Sequence, residues 1–206
     1  MKNFPVIKDD KEYWVSRSVA VIAFLIAKDK CNNTYVLTVK RGKGTPDPEF
    51  VGAYCAPCGY LDYDETTVEA AARELKEETG IELSTSLFKL IEVNSDPDFD
   101  KRQNVCFEYL IAPNLSKLSK EELEKQFTTA NAEDEEVSSI QFINIKELDK
   151  YKWAFNHDSL IKELIDKYGY LISNIYADSF TRRIHKDLEN SKYLKESFKQ
   201  FKKSFL

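Results

Sequence analysis

The ten residues Ser18 to Ala27 (SVAVIAFLIA) carry no charge and are rich in β-branched side chains. A membrane-spanning helix needs about twenty apolar residues, so the run is only about half long enough. Its length and branching predict a strand buried on both faces at the centre of a sheet. Asp29 to Asn33 is turn chemistry, and Tyr35 to Lys40 (YVLTVK) reads as the returning strand of a hairpin.

Further along, Thr67 to Thr79 predicts a helix, with strands over Leu87–Val93, Val105–Ile111 and Ser139–Ile145. Loops fall at Arg41–Pro48, rich in glycine, proline and positive charge, and at Asn94–Asp100. His157 to Tyr168 has the apolar spacing of an amphipathic helix, and Lys117 to Phe127 that of a charged surface insertion. Strands and helices interleave without regular βαβ repetition. This pattern predicts an α+β or mixed α/β layered domain over residues 1–170, not a doubly wound fold.

At 206 residues, 42% hydrophobic and 32% charged, the chain suits one soluble globular domain with extensions. The N-terminus has no apolar signal-peptide core. Four cysteines are too few for a disulfide framework, so reduced thiols and a cytoplasmic location are expected. A net charge of −5 argues against general nucleic-acid binding, and no membrane partner is expected for the domain. The charge is uneven, however. Residues 171–206 hold eight Lys or Arg against four Asp or Glu, and Leu194, Phe198, Phe201 and Phe205 fall at helical spacing. This segment reads as a basic, amphipathic helical extension that docks on the core or on a second subunit. A nucleic-acid or membrane-surface role for it is the alternative.

The densest chemistry lies in residues 59–81. Arg73-Glu74-Leu75-Lys76-Glu77-Glu78 crowds three carboxylates and a guanidinium into six residues. Glu74 and Glu78 stand at i and i+4 on the expected helix, where like charges repel by a few tenths of a kcal/mol. A face of carboxylates becomes favourable when hard divalent cations sit between them. The whole stretch reads Gly59-x5-Glu65-x7-Arg73-Glu74-Leu75-x-Glu77-Glu78-x-Gly80-Ile81. It resembles, position for position, the Nudix box of the Nudix hydrolases, and the looser resemblance covers about residues 16 to 168.

That resemblance implies an α/β/α sandwich with a mixed sheet and a metal-dependent hydrolase acting on a diphosphate. Glu74, Glu77 and Glu78, with the backbone carbonyl of Gly59, would hold Mg2+ or Mn2+. The ions would bridge phosphate oxygens, neutralise charge in the transition state and acidify a water. Arg73 would orient a box carboxylate, and it can reach Glu77 one turn on. Glu65 is expected near the helix start and Gly80 at its C-cap. The general base is a box glutamate, Glu77, or a carboxylate of the later loop Glu133-Asp134-Glu135-Glu136, represented by Glu135. Family members often place a glutamate just before the strand that here ends Phe142-Ile143-Asn144-Ile145, but this chain has Gln141, which cannot act as a base.

Cys55-Ala56-Pro57-Cys58 has redox or half-zinc spacing, yet no second pair exists to complete a zinc site. Relatives carry Pro-Gly-Gly here, which makes Cys58 a substitution for the first glycine.

Substrate choice is read outside the box. Lys40, Arg41 and Lys43 are candidate phosphate contacts, and Tyr60, Phe99, Trp153 and Phe155 are candidates to stack on a base. The segment Ser95-Asp96-Pro97-x-x-Asp100-x-Arg102 resembles ADP-ribose pyrophosphatase-like members, as does Ala154-Phe155-Asn156-His157-Asp158. Asp96, Phe99 and Arg102 are therefore expected at the substrate. The expected substrate is a small nucleotide, ADP-ribose cleaved to AMP and ribose 5-phosphate. Alternatives are a (deoxy)nucleoside triphosphate or oxidised-nucleotide pyrophosphohydrolase, and a non-catalytic sensor of ADP-ribose-type ligands. Relatives of this type are often homodimers.

Overall fold

The computed structural model describes residues 3–99, 102–112, 119–122 and 135–175. At its centre, β3 (Val19–Lys28) realises the apolar run, and its alternating side chains divide between two cores. Val21, Ala23, Leu25 and Ala27 face α1 (Thr67–Thr79), together with Ala71 and Leu75 of that helix. Ile22, Phe24 and Ile26 face the opposite layer, where Ile161 and Leu164 of α2 (His157–Ile175) close the core. A strand buried on both faces thus lies between two helices, and the layering is α/β/α.

Seven strands form the main sheet. β3 pairs parallel with β8 (Val105–Ile111), which pairs antiparallel with β7 (Lys89–Asn94). On its other edge β3 is shared. Its first half pairs with β6 (Cys58–Tyr60) through Ala20, Val21 and Ile22, and its last residues pair with β4 (Thr34–Arg41). β4 also pairs with β5 (Tyr54–Cys55) and with β9 (Val137–Asn144). Between the two neighbours of β3 the sheet splays, and the Ala23 amide donates to the Pro57 carbonyl at 2.8 Å. The segment running from β5 to β6 crosses that split.

Helix α1 begins and ends where its sequence dictates. Thr66 and Glu69 form a reciprocal capping box, and Gly80 adopts the left-handed conformation (φ 70°) that closes the last turn. At the N-terminus, β1 (Phe4–Lys8) and β2 (Lys11–Val15) form a separate hairpin that the hydrophobic pattern does not announce. α2 continues through Ile175, past the predicted end at Tyr168. Most of the 117–127 insertion and the basic extension beyond residue 175 lie outside the described residues.

One carboxyl group is buried against this layering. Glu108 of β8 faces α2 with only 5% exposure, near Glu92, Glu163 and Lys167. Burial, reinforced by the two glutamates, pushes its pKa up to about 7 from an ordinary 4.5. Because the folded value lies above the unfolded one, stability is fully present below pH 4.5 and declines as pH rises through 7. Glu108→Gln should therefore melt higher than the wild type at pH 8, by up to about 3 kcal/mol. In melts at pH 5 that advantage should largely disappear.

Candidate active site

The crossing segment and α1 meet at one end of a cavity of about 930 Å3. Glu74, Glu77 and Glu78 all line it, together with Cys58, Gly59 and Tyr60. Their environments differ. Glu78 lies deepest, and its Oε2 accepts the Cys58 amide at 3.2 Å. Burial drives its carboxyl well above the ordinary range. Glu74 is mostly buried, and burial likewise raises its pKa. Glu77 is more than half exposed.

Arg73 organises this end. Its Nε and Nη2 form a fork on Glu65 at 3.1 and 2.8 Å, and Nη2 also donates to the Tyr60 carbonyl at 2.9 Å. Its Nη1 donates to Glu74 at 2.7 Å and to Glu77 at 3.0 Å. These contacts match the five N–H donors of a guanidinium. The hydrogen bonds to Glu65 raise the Arg73 pKa further. Glu65 precedes the helix, and its role is to pair with Arg73 while accepting the Asp62 amide at 2.8 Å.

Gly59 approaches Glu74 closely. A Cβ at this position would lie 2.1 Å from Glu74 Oε1, in the space the carboxylate occupies. The residues at this end suit a hard divalent cation in donor chemistry, since three carboxylates face a cavity and two of them are desolvated. Among the described residues no three such side chains stand as a ready-made metal cluster, and Arg73 engages Glu74 and Glu77.

The crossing segment is held from the other layer as well. His157, wholly buried at the start of α2, accepts the Ala56 amide on Nδ1 at 3.0 Å. Burial, with Arg41 nearby, pushes its pKa down to about 3, so the ring is neutral and carries its proton on Nε2. The thiols of Cys55 and Cys58 interact, and the hydrogen bond to Cys55, with burial, holds Cys58 above the ordinary thiol range. All four cysteines are free.

The cavity also carries basic and aromatic side chains. Arg41, Phe99 and Arg102 line the cavity, as do Tyr60, Trp153 and Phe155. Arg41 stacks over Phe155 with its guanidinium carbon 5.0 Å from the ring centre, and Phe155 packs edge-on against Phe50 at 4.8 Å. Lys43 and Asp96 are exposed and stand off the cavity wall. Asp96 instead shapes its own loop, where its Oδ1 accepts the Asp98 amide at 2.9 Å.

Glu135 is also exposed and off the wall, whereas its neighbour Glu136 lines the cavity. The pair is fixed by the glycine loop. Gly42 and Gly44 donate to the carbonyls of Glu136 and Glu135 at 2.6 and 2.9 Å. A Cβ on Gly42 would meet the Glu135 carbonyl oxygen at 2.1 Å. The glycines thus serve a close backbone approach, which the composition of the loop alone does not reveal.

Sequence reasoning missed two residues here. Asp47, in Pro46-Asp47-Pro48, is 5% exposed and pairs with both Arg41 and Arg102. Its only signal was a carboxylate set in a basic loop. His157 was read as the first residue of a helix and as part of the Ala154–Asp158 resemblance, with no role assigned, and its burial depends on tertiary packing.

Comparison with known proteins places this geometry in a family. The NUDIX domain model matches residues 16–164. The ADP-ribose pyrophosphatase of Methanocaldococcus jannaschii is 29% identical over 158 residues, which cover 76% of this chain and 79% of the relative. Among solved structures, a MutT/nudix family protein from Enterococcus faecalis aligns with a TM-score of 0.57 at 20% identity, covering 91% of this chain and 82% of its own. The NUDIX domain of Shewanella oneidensis NrtR, solved with ADP ribose, aligns at 0.56 with 18% identity, covering 74% of this chain and 89% of its own. At such identities the structures attest the fold alone. The family match over most of the chain and the intact carboxylate helix agree: the chain belongs to the Nudix family and is a Nudix hydrolase.

Proposed function

We propose that the protein hydrolyses the pyrophosphate bond of a nucleoside diphosphate linked to another moiety, with ADP-ribose as the favoured substrate. The observation that carries this reading is the polarity of the cavity. Glu74, Glu77 and Glu78 line it together with Arg41, Arg102 and several aromatic rings. A diphosphate flanked by a base and a sugar suits such a space in both charge and size. The named relative from Methanocaldococcus jannaschii supports the choice of ADP-ribose.

In this reading Glu74, Glu77 and Glu78, with the Gly59 carbonyl, would hold Mg2+ or Mn2+, which supplies charge neutralisation at the phosphoryl oxygens. Arg73 keeps Glu74 and Glu77 in place. Arg41 and Arg102 bind phosphate oxygens, and Tyr60, Phe99, Trp153 or Phe155 offers a face for the base. The proton released by the attacking water goes to a carboxylate that solvent can reach. Glu77 and Glu136 meet that condition at the cavity, and Glu136 replaces Glu135 as the candidate from the later loop.

Two measurements test the reading. With Mg2+ present, AMP release is followed across ADP-ribose, nucleotide sugars, NADH, dinucleoside polyphosphates and nucleoside triphosphates. ADP-ribose should show the highest kcat/KM, and Glu78→Gln should lower it at least about 100-fold with the fold intact. Turnover confined to triphosphates would replace the substrate assignment, and normal turnover in Glu78→Gln would remove the metal assignment.

Gly59→Ala provides a steric test. The added methyl meets only the tip of Glu74, which can swing aside, so the melting temperature should barely change. Displacing that carboxylate should nonetheless cost about 100-fold in kcat, as misplacement by an ångström does elsewhere. Wild-type kcat in this variant would show that Glu74 need not stand where it does.

A further inference from the structure

Asp47 sits where the glycine loop turns into the short helix Pro48–Phe50, and the Phe50 amide donates to its carbonyl at 3.0 Å. Its carboxylate is shared. Oδ2 lies 3.5 Å from Arg41 Nη2, and Oδ1 accepts from Arg102 Nη2. Arg41 comes from the end of β4 and Arg102 from the loop before β8, so the two cations reach the same acid from separate parts of the chain. Asp47 is nearly buried, Arg41 is 11% exposed in its side chain and Arg102 is 46% exposed. Asp47 lines the cavity between the two cations and is the least exposed of the three, with Arg102 the most exposed.

We propose that Asp47 is a positioning residue that locks Arg41 and Arg102 into a single anion-binding face aimed at the substrate's phosphates. The proposal rests on the phosphate-binding role given above to the two arginines. Two guanidinium groups that share one acid repel each other, and the carboxylate between them offsets that repulsion. Arg41 Nη2 also donates to the Thr45 hydroxyl, and its Nε is buried without an acceptor in the protein. The face is also tied to the carboxylate end of the cavity. Arg102 Nη1 donates to the Tyr60 hydroxyl at 3.2 Å, and the carbonyl of the same tyrosine is held by Arg73 at 2.9 Å. The acidic and basic groups of the cavity are thereby linked through one residue. Asp47 touches no substrate atom in this account and acts only through its arginines.

The test uses the full chain with Asp47→Asn, Arg102→Ala and the double variant. Two quantities are read: kcat and KM for ADP-ribose with Mg2+, and calorimetric binding of inorganic pyrophosphate without metal. Asp47→Asn should raise KM about tenfold with a much smaller change in kcat, and should weaken pyrophosphate binding by a similar factor. In the double variant the loss should be smaller than the product of the single losses, because both changes dismantle one unit. If Asp47→Asn does not fold, Asp47→Glu, which keeps the charge but displaces it, carries the same expectations.

The proposal is overturned if KM and pyrophosphate affinity stay within about twofold of the wild type, or if the losses in the double variant simply multiply. Tighter pyrophosphate binding in Asp47→Asn would overturn it too, since the acid would then be competing for the anion's place. Absence of any wild-type binding at millimolar pyrophosphate would also end it. Loss of pyrophosphate binding in Asp47→Asn, in a protein that turns over no member of the substrate panel, would leave the anion face standing and remove the hydrolytic reading. Normal ADP-ribose turnover that is indifferent to Asp47 would do the reverse.

Discussion

The guanidinium of Arg73 is the interaction on which the site depends, because it reconciles carboxylates that would otherwise repel. Glu65, Glu74 and Glu77 all bind it, and it also takes up the Tyr60 carbonyl. Glu74 and Glu78 are partly or wholly desolvated, a condition that costs several kcal/mol per uncompensated ion. Arg73 compensates Glu74 directly and leaves Glu78 with the Cys58 amide and a raised pKa. The helix thus carries carboxylate charge that the protein's own partners compensate only in part.

The same arginine also fixes geometry across the layers. By holding the Tyr60 carbonyl it ties β6 to α1, and β6 in turn pairs with β3 where the sheet splays. From the opposite layer, neutral His157 holds the Ala56 amide. The segment from Cys55 to Tyr60 is therefore gripped by both helical layers while Pro57 bridges the gap to β3. Such double anchorage suits a backbone segment that must bring Gly59 against a carboxylate, since a loop held from one side would yield.

Much of this was legible in the chain. The bounds of α1 and the Gly80 stop follow from local chemistry, and the central strand follows from nine consecutive apolar residues. Local signals also placed β8 at its full length, because a nearly continuous apolar run has few alternatives. The N-terminal hairpin escaped, since its side chains are almost all exposed and no burial periodicity marks it. Within the site, Arg41, Phe99 and Arg102 could be named from composition and short patterns. Lys43 and Asp96 looked equivalent to them in sequence and yet stand off the cavity. What separates the two groups is side-chain direction, set by strand register and loop packing over long sequence distances. Asp47 and His157 matter through partners 55 and 101 residues away, a relation that no local window contains.

The division between what the helix dictates and what the rest of the cavity dictates has a physical basis. Carboxylates at i, i+3 and i+4 are locked by helical geometry, so the chemistry they support is written in consecutive residues. Recognition of the remainder of a substrate needs charges and rings delivered by segments that the sheet brings together, here the ends of β4, the loop before β8 and the start of α2. Arg41 illustrates the cost of that delivery. Its guanidinium is almost buried, and it is held there by the Phe155 ring on its face, the Thr45 hydroxyl and the Asp47 carboxylate. A cation held this way cannot be exchanged for lysine without losing the planar stack, nor can it move without leaving the acid it pairs with. Tertiary contacts of this kind, and no local sequence pattern, fix where the Arg41 guanidinium stands among the residues that line the cavity.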